Sequence, residues 1–151
     1  MTKIVVSAAP FRKGSDYPPP FDEPCRERVR RALGDAVGLT DFGVNLQRLP
    51  AGAWSSQRHW HTAEDEFVWV VEGEVVLVTD TGEEVLRAGD CAGFKAGVAN
   101  GHHLQNRSTR TAVVLEIGSR HPDEDIVDYP DIDLRWSAAT GETHKDGTPY
   151  K

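Results

Sequence analysis

Residues 52–73 read GAWSSQRHWHTAEDEFVWVVEG: two histidines one residue apart, then three consecutive acids, an apolar run and a closing glycine. In an extended strand, side chains at i and i+2 share a face, so His59 and His61 point one way and Trp60 the other. Residues 62–65, TAED, read as a turn. Glu66 then opens the next apolar strand and brings a carboxylate back beside the two imidazoles. Two neutral nitrogens and one carboxylate are a donor set for a divalent transition metal. Glu64 shares the parity of Glu66 and is the alternative, whereas Asp65 is expected to face away.

A fourth ligand has to come from a neighbouring strand, and residues 100–106, NGHHLQN, offer His102 and His103. If Leu104 points into the core, His102 and Asn106 share its face and His103 points out. A register slip of one residue reverses that choice.

Around these segments the chain breaks into short β-branched and aromatic runs separated by Gly, Asp and Asn, the pattern of many short strands. Candidate strands lie at residues 42–49, 55–61, 66–73, 74–80, 83–89, 90–94, 102–106 and 111–118. TDTGEEV, residues 79–85, supplies a hairpin turn with Gly82 suited to positive φ. The near-continuous apolar character of GEVVLV and AVVLEI implies strands between two layers, hence an all-β sandwich or barrel. Its core is expected to include Val68, Val70, Val76 and Leu115.

The ends differ in composition. Residues 1–39 are expected to form an N-terminal arm with a short helix, residues 40–119 the barrel and residues 120–151 an acidic C-terminal arm, within a single domain. Within the first, CRERVRRALG (residues 25–34) reads as a solvated helix ending near Gly34, in preference to an anion site. The apolar residues of both arms, among them Phe11, Phe21, Ile126, Tyr129 and Trp136, suggest extended segments that pack on the barrel or on a second subunit.

A net charge of -7 argues against a nucleic-acid partner, which needs clustered Lys and Arg. The apolar core of MTKIVVSAAP is shorter than the roughly 7–15 residues of a secretory h-region, and no stretch reaches the ~20 apolar residues of a membrane span. With only Cys25 and Cys91, a reducing cytoplasm is expected, with both thiols unpaired and Cys91 a buried structural thiol rather than a redox one.

The spacing G52-x6-H59-x-H61-x4-E66-x6-G73 resembles the first motif of the cupin superfamily, and G89-D-x4-K95-x-G97…H102-x3-N106 resembles the second. The second departs from the pattern at Lys95, where a proline is usual, and in two extra residues between Gly97 and the histidine. The wider sequence is similar to small single-domain bacterial cupins of unassigned reaction. The resemblance implies a double-stranded β-helix, a jelly-roll-like barrel, with extended N- and C-terminal arms. It also implies one divalent transition metal per subunit, Fe, Mn, Ni or Zn, held by His59, His61, Glu66 and His102.

Further residues are candidates for contact with a small-molecule ligand or substrate. Gln57 shares the parity of His59; the strand at residues 42–49 can aim Asn45, Gln47 or Arg48 at the cavity; Glu116 is the one acid in AVVLEIG. Three functions follow: a metal-dependent enzyme acting on a small organic molecule inside the barrel as an oxygenase, an isomerase or lyase on the same scaffold, or a non-catalytic metal or metabolite binding module. The catalytic residues are unknown at this stage. Sheet edges and the apolar arms suggest a homodimer, with Trp60 or Trp69 near the buried outer surface.

Overall fold

The computed structural model describes residues 2–151. It is nearly all β: β1 Phe11–Lys13, β2 Val29–Ala32, β3 Phe42–Leu49, β4 Trp60–His61, β5 Glu66–Glu72, β6 Glu74–Thr79 and β7 Gly82–Arg87 are followed by β8 Cys91–Phe94, β9 His103–Gln105, β10 Ala112–Ser119, β11 Ile126–Tyr129, β12 Leu134–Ser137 and β13 Gly141–Thr143. Three antiparallel sheets result, ordered β1-β2-β3-β10-β5-β8, β7-β6-β9 and β13-β12-β11-β4.

The first two sheets face each other across the main core. Leu49, Val68, Val70, Val75, Leu77, Leu86, Leu104 and Val114 fill it. Val68 and Val70 are core residues as expected, but Val76 and Leu115 are only half-buried. Side-chain alternation explains the difference: Val75 and Leu77 take the inward face of β6, and Ala112 and Val114 that of β10. Truncating any of the fully enclosed aliphatics to alanine costs about 2–5 kcal/mol.

Gly73 joins β5 to β6 with φ 77°. A side chain there would also approach the Thr111 carbonyl oxygen to 3.0 Å, so both the backbone conformation and the space demand glycine.

The expected helix at residues 25–34 is a strand. Only Glu23–Cys25 forms a turn of 3-10 helix, and β2 pairs with β3, Val29 opposite Arg48 and Arg31 opposite Leu46. Without β2, β3 would be an open edge with unpaired backbone groups; β2 covers it, and β1 extends the sheet in turn. Strand alternation sends Arg28 and Arg30 toward the barrel interior and Arg31 outward, over the Phe11 ring.

The C-terminal segment is likewise structured within the chain. β11 pairs with β4, Val127 opposite His61 and Asp128 opposite Trp60. Val127, Tyr129 and Leu134 form a second small core, to which Tyr17 from the N-terminal segment and Tyr150 from the C-terminus add their rings. The strand carrying His61 is therefore held by residues more than sixty positions away. No helix among the described residues is long and apolar enough to cross a membrane.

Candidate metal centre

His59 and His102 lie opposite each other in an isolated antiparallel bridge. Each backbone N–H donates to the other's carbonyl, at 3.1 Å and 2.9 Å. Pairing of this kind brings the two imidazoles side by side, with ring centroids 4.9 Å apart. His61, two residues along, places its ring 5.1 Å from that of His59. Glu66 enters at the start of β5, flanked by Phe94 on β8 and Gly118 on β10.

All three imidazoles turn Nε2 toward the Glu66 carboxylate. The separations are 3.5 Å from His59 and 3.0 Å from His61, and His102 is hydrogen-bonded to the second carboxylate oxygen. Phe94 stacks flat on the His102 ring at 3.6 Å and fixes its plane.

The outward nitrogens are also committed. Nδ1 of His59 donates to the Gln57 carbonyl at 2.8 Å and Nδ1 of His102 to the Asn100 carbonyl at 3.3 Å. A carbonyl can only accept, so Nδ1 carries a proton; Nε2 donates to Glu66 when the ring is an imidazolium and offers its lone pair to a cation when the ring is neutral. Nδ1 of His61 meets the buried Asp125 carboxylate at 2.6 Å, a carboxylate–histidine pair of the kind that orients metal ligands. Asp125 also accepts from the Ala63 backbone N–H, which fixes its position.

Electrostatics agree with this donor set. Burial opposes a charge on His61, but its hydrogen bonds to Glu66 and Asp125 outweigh burial and push its pKa up to about 9. Burial would likewise raise Glu66, yet the surrounding imidazoles hold it well below the usual carboxylate range. Both shifts arise from imidazoles packed against carboxylates, which are also the donor types a divalent ion takes. His59, His61 and Glu66 present ligand atoms within 4.8 Å of one another. The residues fit a metal ion.

The other expected site residues are distributed as follows. Glu64 lies 3.7 Å from His61 Nδ1, on the side away from the Nε2 cluster, and Asp65 faces solvent beside Lys95. His103 is buried, not a surface residue as expected, and lines a small cavity with Glu66 and His102. Trp54 covers it with ring centroids 4.8 Å apart, its Nδ1 donates to the Ser56 carbonyl, and burial pushes its pKa down to about 4.

Glu116 lines a cavity of about 210 Å³ together with His59, His61 and Glu66. Gln47 and Asn45 donate to its carboxylate from β3. Arg48 is corrected: it is exposed on the opposite face of the same strand, because Asn45, Gln47 and Leu49 take the inward parity. Gln57 is corrected too. It is buried, but its side chain donates to the Phe21 carbonyl and ties down the N-terminal arm. Cys91, expected to be buried, is exposed opposite Trp69 on the outer sheet face.

Asp125, Arg28 and Arg30 were not marked as site residues by sequence reasoning. Asp125 sits in an acid-rich run with nothing local to single it out. The two arginines did carry a signal, their i, i+2 spacing, which becomes legible once the segment is a strand.

A family model for the cupin domain matches residues 45–118. A crystal structure described as a sugar phosphate isomerase from a cupin superfamily of Silicibacter pomeroyi is 44% identical, with TM-score 0.91, covering 99% of this chain and 97% of that one. The chain belongs to the cupin superfamily. A second structure, provisionally described as a sugar phosphate isomerase of Acidithiobacillus ferrooxidans, is 33% identical, with TM-score 0.73, covering 83% of this chain and 81% of that one. The polyketide cyclase RemF of Streptomyces resistomycificus matches at 18% identity and TM-score 0.62, with 79% of each chain covered, a likeness of fold alone. A comparison with curated proteins gives no match.

Within this cupin, substitution of the two adjacent histidines is expected to give different outcomes. His102→Ala is expected to lose bound metal, measured by elemental analysis, because it removes an Nε2 directed at Glu66. His103→Ala is expected to keep metal but to lose about 1–3 kcal/mol in urea unfolding, since it leaves the Ser56 carbonyl unpaired beneath Trp54. Metal loss in the second variant and retention in the first would reverse the assignment.

Proposed function

We propose that this cupin is a metal-dependent isomerase of a small sugar phosphate, with His59, His61, Glu66 and His102 as the ligands of one divalent ion. The observation that carries the reading is the cavity shared by the histidine–glutamate cluster and Glu116, a carboxylate outside the ligand set. The names of the two structures at 44% and 33% identity support isomerisation over oxygenation.

Aldose–ketose interconversion moves one hydrogen between neighbouring carbons with no net oxidation. A bound divalent ion supplies Lewis-acid polarisation of the substrate oxygens. Glu116 takes the proton from the carbon bearing the hydroxyl and returns it to the former carbonyl carbon, while the hydroxyl proton passes to the former carbonyl oxygen by way of the enediol. Gln47 and Asn45 hold the carboxylate in place for both transfers. Arg30, at 3.3 Å, balances its charge.

The test is incubation of metal-reconstituted protein with a panel of aldose phosphates, following ketose formation by NMR. Conversion with at least one of Fe(II), Mn(II), Ni(II) or Zn(II) is expected. Oxygen uptake instead would establish the oxygenase alternative. Metal and ligand binding without turnover would establish the non-catalytic module.

The working form is a cytoplasmic homodimer. Phe67, Trp69 and Val71 are exposed in a row on the outer face of β5, an apolar stripe that a second copy would cover. Light scattering coupled to size-exclusion chromatography is expected to give twice the chain mass, and Trp69→Glu to give a monomer. A wild-type monomer at micromolar concentration would remove the dimer.

A further inference from the structure

Arg28 and Arg30 enter the cavity from β2 and its approach and line it together with His59 and His61. An arginine is rarely buried without a carboxylate partner. Arg28 is only 7% exposed, yet none of its hydrogen bonds goes to an acid. Its Nε donates to the Gly14 carbonyl at 3.0 Å and one terminal nitrogen to the Ser55 carbonyl. The other terminal nitrogen has no acceptor among the described residues.

Arg30 is half-buried and, unlike Arg28, faces an acid. Its Nε lies 3.3 Å from Glu116 but is too poorly aligned to donate, and is a buried polar atom with no hydrogen-bond partner among the described residues. Its two terminal nitrogens make no protein hydrogen bond there either. Tyr17 lines the same cavity, and its hydroxyl accepts from the Gln57 backbone N–H and shares a hydrogen bond with Tyr129.

The charges point the same way. The cavity holds two guanidiniums and two carboxylates, Glu66 and Glu116. These four charges cancel one another, and a divalent ion would add two positive charges, which a phosphate dianion neutralises. Guanidinium N–H groups match phosphate oxygens in geometry as well as charge.

We infer that Arg28 and Arg30, with the Tyr17 hydroxyl, form the subsite that binds the phosphoryl group of the substrate. The inference rests on the sugar phosphate reading of this cavity. It places the phosphate on the arginine wall and the reacting carbons between the metal ligands and Glu116. Arg28 also ties the arm to the barrel through Gly14, so Arg30 is the cleaner residue to vary.

The experiment is calorimetric titration of metal-loaded protein with inorganic phosphate, with metal content checked in every variant. Arg30→Gln is expected to weaken phosphate binding at least tenfold at unchanged metal content, and Arg30→Lys to lose less. Arg48→Gln, on the outer face, is expected to bind as wild type. Arg28→Gln is scored only if its circular dichroism matches wild type, and is then expected to show the same loss.

Wild-type protein that binds no phosphate, or Arg30→Gln that binds it with wild-type affinity, overturns the subsite. Binding that disappears on metal removal but survives Arg30→Gln means phosphate sits on the ion alone, and overturns it equally. Phosphate loss in Arg30→Gln alongside a protein that isomerises no aldose phosphate would uphold the subsite and remove the proposed reaction, so the two failures are distinguishable.

Discussion

His61→Ala is expected to purify with far less than one metal ion per chain, while its circular dichroism and urea midpoint show a folded barrel. His61 supplies one Nε2 to the cluster and is the partner of Asp125, so the substitution removes a ligand and strands a buried carboxylate. The barrel core of Val68, Val70, Leu77 and Leu104 lies elsewhere and is untouched. His59→Ala is expected to behave in the same way. Asp125→Asn keeps the ligand set but weakens its orientation, and metal affinity is expected to fall about 10–100-fold. Elemental analysis and competition with a chelator measure both effects. Full metal occupancy in His61→Ala would remove the centre, and with it the proposed chemistry.

Glu116→Gln tests the reaction itself. The amide keeps the size of the side chain and can still accept from Gln47, but it cannot take a proton from carbon. The rate constant kcat for isomerisation is expected to fall about 10²–10⁴-fold, the usual contribution of a positioned general base. Metal content is expected to be unchanged, because Glu116 lies outside the ligand set. A variant with wild-type kcat would exclude Glu116 as the base, and one that lost its metal would recast it as a support of the centre.

Much of the barrel was legible from local pattern. β3 and β5 to β10 fall where alternating and continuous apolar runs predict them, and the turn residue Gly82 adopts the positive φ expected of it. The convergence of His59, His61 and Glu66 follows from period-2 geometry around one turn, information contained within eight residues. Leu104, on whose parity the expectation of His102 over His103 rests, is a core residue.

The misreadings share one cause. The arginine run at residues 25–34 lacks the apolar alternation of a buried strand, and what makes it a strand is the open edge of β3, a partner far along the chain. Arg48 could not be placed without knowing which parity of β3 faces inward. His103 looked like a surface residue because Trp54, which covers it, lies on a separate segment.

The sequence by itself determined the all-β class, the strands of the barrel and the ligand-bearing stretch, because side-chain alternation and turn chemistry act over a few residues. Only the tertiary structure decided that Asp125, 64 positions away, orients His61 and that Arg28 and Arg30 line the same cavity. These assignments depend on which strands become neighbours, and strand pairing is set by the burial of whole sheet faces, which no local pattern encodes.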